Sequence, residues 1–351
     1  MSVYIKGIGI ISAQRTLDKS IFVEGALPFS GNRLHCIEPN YADFIDSKQI
    51  RRMSRVIKMG VACSITALKE AGIEKPESVI VGTAYGCLDD TDSFLKKLVQ
   101  NKEEMLNPTP FIHSTHNTIA SQIALVFKCQ GYNSTYVHRN ISFESALIDA
   151  TLLLEEKTVK NVLVGGIDET NESSFTILDR LGNFKKKEEV NNKNLYTSNS
   201  KGSVSGEGSA FFVLVDKPDN TCYAALRATE TISFCATEQV ADNAKALLTR
   251  NGIEKADLLI CANNGDLQDD KIADTFSSLI GMENHTLKFK HLSGEYPTST
   301  AFAMWMGAEI IKSGKIDSAF SDSPAEKKIQ HVVIHNQNKN LHHSLILLSA
   351  C

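Results

Sequence analysis

Val162-Leu163-Val164-Gly165-Gly166 is a short apolar run that ends in paired glycines at a turn. It is too short for a stable helix and lacks polar alternation, so it reads as a strand covered on both faces. The same form recurs on either side of it. Val79-Ile80-Val81-Gly82-Thr83 lies upstream, and Ala210-Phe211-Phe212-Val213-Leu214-Val215 and Leu258-Leu259-Ile260-Cys261 lie downstream. Tyr4 to Ile11 reads as a buried first strand, and a fresh strand begins near Tyr223. Between these runs the apolar spacing is helical. Met53, Val56, Ile57, Gly60, Val61, Ser64, Ala67 and Leu68 mark one helix, with Gly72 just past its end. Further helices are expected from about Phe143 to Leu154, over about Val240–Leu248, and from Ser299 to Lys312. Strands alternating with helices predict an α/β protein whose second half restates the first.

The 351 residues suit about two domains or one large duplicated unit. At 42% hydrophobic and 22% charged, the chain can bury a sizeable core. Its 37 Lys+Arg nearly balance 41 Asp+Glu, which argues against a general electrostatic grip on nucleic acid. No apolar run approaches the roughly 18–20 residues of a membrane span, and Lys6 interrupts the first one, so no secretory leader is read there. The eight cysteines are irregularly spaced without C-x-x-C, which fits reduced thiols in a soluble cytoplasmic protein. Cys87 reads as a buried apolar cysteine, and His113 and His116 as surface or interface residues, so no metal is expected. No P-loop, G-x-S-x-G, H-E-x-x-H or dinucleotide fingerprint is present, and no cofactor is expected. Asn183–Lys201, with Lys185-Lys186-Lys187-Glu188-Glu189, reads as a surface loop.

Three segments taken in order carry a resemblance. Arg51-Arg52-Met53-Ser54-Arg55 opens a helix that closes on Ala71-Gly72. Pro110-Phe111 leads through Asn117 to Ala124 and on to Gly131-Tyr132-Asn133. Gly206-Glu207-Gly208-Ser209 precedes a buried strand. The chain thus resembles β-ketoacyl synthases of the thiolase-like fold, most clearly over residues 50–215, and Lys290-His291-Leu292-Ser293-Gly294 falls where that family has an equivalent. The resemblance implies two similar α/β halves, here 1–217 and 218–351, with mixed sheets stacked around central helices. It implies dimerisation through an N-half strand near Ser134–Val137, and condensation of acyl and malonyl groups carried on acyl carrier protein. That chemistry needs a thiolate at a helix N-terminus, two imidazoles to stabilise an enolate, and an oxyanion hole.

The positions implied for these groups are altered. Asn140 falls at the nucleophile, and no cysteine lies between 129 and 222. An N-cap for the following helix is the plain alternative for Asn140. His138 and Arg139 are expected at a pocket rim or a dimer contact. The family writes the first histidine as Ala-His-Gly-Thr; here the text is Cys261-Ala262-Asn263-Asn264-Gly265-Asp266, and Asn263 is assigned to it. Glu295 falls at the second histidine, and Lys290 keeps its family identity and pairs with Glu295. The glycine-rich stretch near the C-terminus is replaced by Asn336-Gln337-Asn338-Lys339-Asn340 ahead of a last strand at His343–Leu348.

The pattern resembles the non-condensing, chain-length-factor type of partner subunit. The wording around Phe143-Glu144-Ser145-Ala146-Leu147 is similar to that of ketosynthase-like proteins of aryl-polyene and flexirubin-type pathways. The partners implied are acyl carrier protein and either a second copy or a catalytic ketosynthase. Two other readings stay open: an active acyltransferase or malonyl decarboxylase using Ser142 with His138, and an acyl-carrier-binding scaffold.

Overall fold

The computed structural model describes residues 3–187, 190–321, 323–326 and 328–351. Its strands are β1 (Val3–Ile11), β2 (Val79–Gly82), β3 (Asn133–Tyr136), β4 (Asn161–Asp168), β5 (Gly208–Val215), β6 (Ala224–Ser233), β7 (Leu258–Cys261), β8 (Thr286–Lys288), β9 (Lys315–Ile316), β10 (Ala325–Glu326), β11 (His331–Asn338) and β12 (His342–Ser349). Apart from the small β9–β10 pair, they form one ladder in the order β3-β2-β4-β5-β1-β6-β12-β11-β7-β8. Outward from the β1–β6 contact, the order β1-β5-β4-β2-β3 on one side matches β6-β12-β11-β7-β8 on the other. Each side has two antiparallel pairs followed by two parallel ones. The repeat that is faint in the residues is therefore explicit in the topology.

The apolar runs explain the layering. Two helices, Ser142–Glu155 and Thr300–Ser313, bury Phe143, Leu147, Phe302 and Trp305 in one core with Ile80, Val164 and Phe212 of one set of strands and Ile260, Ile334 and Ile346 of the other. The Arg55–Ala71 helix covers the opposite face of the first set, against Val81, Leu163, Phe211 and Val213. Thr237–Arg250 and Leu267–Leu279 cover the second set against Leu259, Val333 and Leu347. With side chains taken up on both faces, these strands cannot show the period-2 alternation of a half-exposed sheet.

β1 carries Gly9 because the Arg55–Ala71 helix lies backbone to backbone upon it. A Cβ at Gly9 would sit 2.0 Å from the Cys63 carbonyl oxygen. Gly72 ends that helix in the left-handed conformation, φ 66°, as its position past the last apolar residue predicts.

Asn183–Lys201 is not a wholly solvated loop. Lys185 is 1% exposed and its Nζ donates to the Ser200 carbonyl at 3.1 Å, while Val190 and Leu195 pack with Ala13, Leu34 and Val204. The apolar residues scattered through the polar text anchor the segment; Glu188 and Glu189 lie outside the described residues. The asparagine-rich stretch also differs from expectation. Asn336–Asn338 continue β11, and Lys339 and Asn340 make the hairpin turn with φ 49° and 56°. That turn needs positive φ at both central residues, so the chain turns tightly here without glycine.

Gly9→Ala is expected to lower stability by at least about 1–3 kcal/mol, the usual cost of overpacking, because a rigid carbonyl must move. Chemical denaturation of variant and wild type followed by circular dichroism measures this, and an unchanged midpoint would contradict the packing described.

Candidate functional site at the ends of the central strands

The implied nucleophile lies in the turn that joins β3 to the Ser142–Glu155 helix. A short 3-10 turn, Arg139–Ile141, holds half-buried Asn140, with Arg139 at φ 52°. Asn140 is not the helix cap. Ile141 precedes the first helical residue and no side chain caps it. Ser142 does the local work instead. Its Oγ donates to the Arg139 carbonyl at 2.7 Å and accepts from the His138 backbone N–H at 2.8 Å. The His138 ring meets Ser145, with Nδ1 and Oγ 3.0 Å apart. The expected Ser142–His138 pairing is therefore absent: Ser142 is fully buried and its hydroxyl is committed to backbone, so it lacks the imidazole a serine nucleophile requires. Arg139 and His138 are exposed.

The implied imidazole positions lie across the seam. The short helix Lys290–Ser293 starts with Lys290, which is 1% exposed and donates from Nζ to Glu295 Oε2 at 2.6 Å. The Asn264 amide donates to the same oxygen at 3.0 Å and to Asp269 Oδ2 at 2.9 Å. Asn263 turns away and donates to Asp274 Oδ1 at 3.0 Å. Of the two neighbouring amides, Asn264 and not Asn263 therefore joins Lys290 and Glu295.

Backbone geometry fixes this group. The Glu295 N–H donates to the Val204 carbonyl at 2.7 Å, and Gly206 N–H donates to the Glu295 carbonyl at 3.0 Å. A Cβ at Gly206 would lie 2.2 Å from the Ser293 carbonyl oxygen, so the Gly206-Glu207-Gly208 segment crosses Ser293–Glu295 only as glycine. Next to it, Glu207 is 1% exposed and accepts both arms of the Arg55 guanidinium, at 2.6 and 2.8 Å. Burial pushes the Glu207 carboxyl up. Arg55, with the backbone N–H groups of Cys36 and Thr170, more than offsets this and holds it below its ordinary value.

Three further buried carboxyls escape a reading by motif. Asp168 Oδ1 accepts from Thr83 Oγ1 and the N–H groups of Ala84 and Tyr85, and Oδ2 from the N–H and hydroxyl of Thr298. Burial still pushes it up to about 6. Glu169 accepts from the Asp89 N–H at 3.1 Å, and burial pushes it up to about 8. Glu144, four residues past Asn140, accepts from Ser344 Oγ at 2.8 Å. Asn336 donates to Thr300 Oγ1 at 2.7 Å in the same region. Cys87 is fully buried. Among the described residues no three His, Cys, Asp or Glu side chains are placed to hold a metal ion. No described helix is long and apolar enough to cross a membrane.

The family model for the β-ketoacyl synthase N-terminal domain matches residues 32–220. That is more than half of the chain, and the chain belongs to the β-ketoacyl synthase family. No curated protein matches it by sequence. Among solved structures, the ishigamide ketosynthase/chain length factor is 16% identical, with a TM-score of 0.80 over 100% of this chain and 99% of that chain. A β-ketoacyl synthase from Burkholderia phymatum STM815 is 14% identical, with a TM-score of 0.80 over the same shares. The ketosynthase ApeO in complex with its chain length factor ApeC from Xenorhabdus doucetiae is 15% identical, with a TM-score of 0.77 over 100% and 98%. The fold is thiolase-like throughout.

Glu295→Leu leaves the Lys290 ammonium buried without its carboxylate and is expected to cost about 3 kcal/mol. Adding Lys290→Met should restore most of that loss. A double-mutant cycle by urea denaturation reads the coupling, and additive losses would show that the pair contributes nothing.

Proposed function

We propose that this protein is a non-condensing ketosynthase-like subunit of the chain-length-factor type, with residues 1–217 and 218–351 as its two halves. It belongs with cytoplasmic acyltransferase-class assemblies of fatty-acid or polyketide type. It works beside a catalytic ketosynthase and acyl carrier protein, and an aryl-polyene or flexirubin-type pathway is the setting we favour. The observation that carries this reading is Asn140. The first turn of a buried helix offers its dipole to a side chain that cannot ionise, so the thiolate step has no nucleophile. Across the seam, Lys290 and Asn264 are turned onto the Glu295 carboxylate where imidazoles would face an enolate. The solved complexes of ketosynthases with chain length factors support the reading by likeness of fold.

Incubation with acyl carrier protein thioesters should give no acyl adduct by intact mass, and Asn140→Cys should accept acyl groups without condensing them. Each missing electrostatic donor in such a site is worth about 2.7–4 kcal/mol of barrier. A stoichiometric adduct on 137–145 of the wild type, or chain extension by the single variant, would overturn the reading.

Association is the second test. β3 ends the ten-stranded ladder, and Tyr132 and Val137 beside it are exposed, at 45% and 38%. An unpaired edge of this kind is a liability unless another chain covers it. We expect a homodimer for the chain alone and exchange into a heterodimer with a co-encoded ketosynthase. Tyr136→Asp should disrupt either, since a buried unpaired carboxylate costs several kcal/mol. Sedimentation decides: a wild type that stays monomeric at micromolar concentration in both settings would contradict the partner role.

A further inference from the structure

His335 of β11 and His343 of β12 are both fully buried, and their rings are nearly parallel, 14° apart. His343 Nε2 lies 3.0 Å from the side-chain oxygen of Asn340 in the hairpin turn, and His335 Nε2 lies 3.1 Å from His343 Nδ1. At the far end, His335 Nδ1 lies 3.9 Å from Cys261 Sγ, where β7 stops. An amide oxygen only accepts, so His343 carries its proton on Nε2. Its Nδ1 is then the acceptor, His335 donates from Nε2, and His335 Nδ1 is left bare beside the Cys261 thiol. Each neutral ring is satisfied, and each has one defined tautomer. The chain also fixes its surroundings. Thr237, at the start of the Thr237–Arg250 helix, donates to the same Asn340 oxygen at 3.2 Å, and Phe276 of the Leu267–Leu279 helix stacks on His335 with ring centroids 3.9 Å apart.

An added proton has no good place in this chain. On His343 Nδ1 it sets N–H against N–H across 3.1 Å, unless the proton of His335 moves to Nδ1 and faces a sulfur, which is a weak acceptor. The carboxyls on the elements around the pair are engaged elsewhere. Asp269 and Asp274 accept from the side chains of Asn264 and Asn263, Asp270 from the backbone N–H groups of Asn264 and Gly265, and Glu230 of β6 from Arg250. The charged and titratable groups that act on the rings are themselves cationic, Lys290 on His335 and His342 on His343. Burial is the largest influence on both rings and lowers their affinity for a proton, His335 well below its ordinary value and His343 to about 4.

We propose that the Asn340–His343–His335–Cys261 chain is an acid-released fastener: with both rings neutral it ties the β11–β12 turn to β7 and to the Thr237–Arg250 helix, and uptake of a proton by the pair undoes it. The sign follows from linkage. A histidine that binds its proton more weakly when folded stabilises the fold at higher pH. That contribution is lost as pH falls from about 6.5, the value of an unfolded histidine, toward the folded value. In that window the unfolding constant rises by up to about tenfold per pH unit for each histidine. The fastener does not depend on whether the subunit condenses.

Urea denaturation of the full chain between pH 7 and pH 4.5 tests this. The amide of His343→Gln can still donate to Asn340 and accept from His335 but cannot titrate, so the variant should lose up to about tenfold per pH unit of the acid dependence of wild type. Asn340→Asp sets a carboxylate on the His343 N–H and should also flatten the acid dependence, by helping the pair hold a proton; it serves as the test if His343→Gln does not fold. Long-range proton–nitrogen NMR should show both rings protonated at Nε2 alone at pH 7, and still so at pH 5, where the exposed His35 is charged. Either ring charged at pH 6, a proton on Nδ1 of either ring at pH 7, or an acid dependence unchanged in both variants would each overturn the fastener.

Discussion

The carboxylate of Asp168 ties the two sides of this molecule together. One oxygen gathers Thr83, Ala84 and Tyr85 just past β2, and the other gathers Thr298 just ahead of the Thr300–Ser313 helix. The residue stands at the last position of β4, where parallel strands of one set end together. Five donors on one buried carboxyl fix the relative position of a turn, a strand end and a helix start. The strain of keeping it in a dry site is visible in its raised affinity for protons.

The mirrored strand order explains why the site lies at a seam. Each set of strands presents its parallel members with their C-terminal ends toward the same side, and open sheets collect functional groups at such ends. β2 ends at Gly82, β4 at Asp168 and β7 at Cys261, and the next residues are Thr83, Glu169 and Ala262-Asn263-Asn264. Gly206 crosses closely over the Ser293 carbonyl. It allows the backbone of Glu295 to bond to Val204 and Gly206 while its side chain turns toward Lys290.

Much of this was legible in the residues. The apolar runs at 79–82, 162–166, 210–215 and 258–261 each became a buried strand, because burial on both faces leaves a continuous hydrophobic signature. The Arg55–Ala71 helix was legible through its spacing and its terminal glycine. The duplication is only faint there, since topology repeats backbone order without repeating side chains. Asn183–Lys201 misled because composition averages over a segment, whereas Val190 and Leu195 anchor it singly. At the site, Lys290 and Glu295 were read as a pair and are one. Asn140 was correctly placed on the turn but wrongly as a cap, since the 3-10 turn shifts the helix start beyond it. The Asp168 hub could not be read, because its donors come from two segments far from it in the chain and three of the five are backbone amides.

The choice between Asn263 and Asn264 shows how geometry sharpens a chemical argument. Both residues are amides, and either could replace an imidazole as a neutral donor. The turn after β7 sends the Asn263 amide toward Asp274 in the Leu267–Leu279 helix and the Asn264 amide toward Glu295. Asn264 then donates to Asp269 and Glu295, and Lys290 neutralises Glu295. The donors gathered here are thus directed onto carboxylates of the chain itself. Charge developing on a bound enolate would have to compete with those fixed carboxylates for the same N–H groups, and preorganised stabilisation works only where donors await the charge unengaged. On the function proposed above, restoring a thiol at 140 leaves that competition in place, and the two positions are then chemically independent obstacles to condensation.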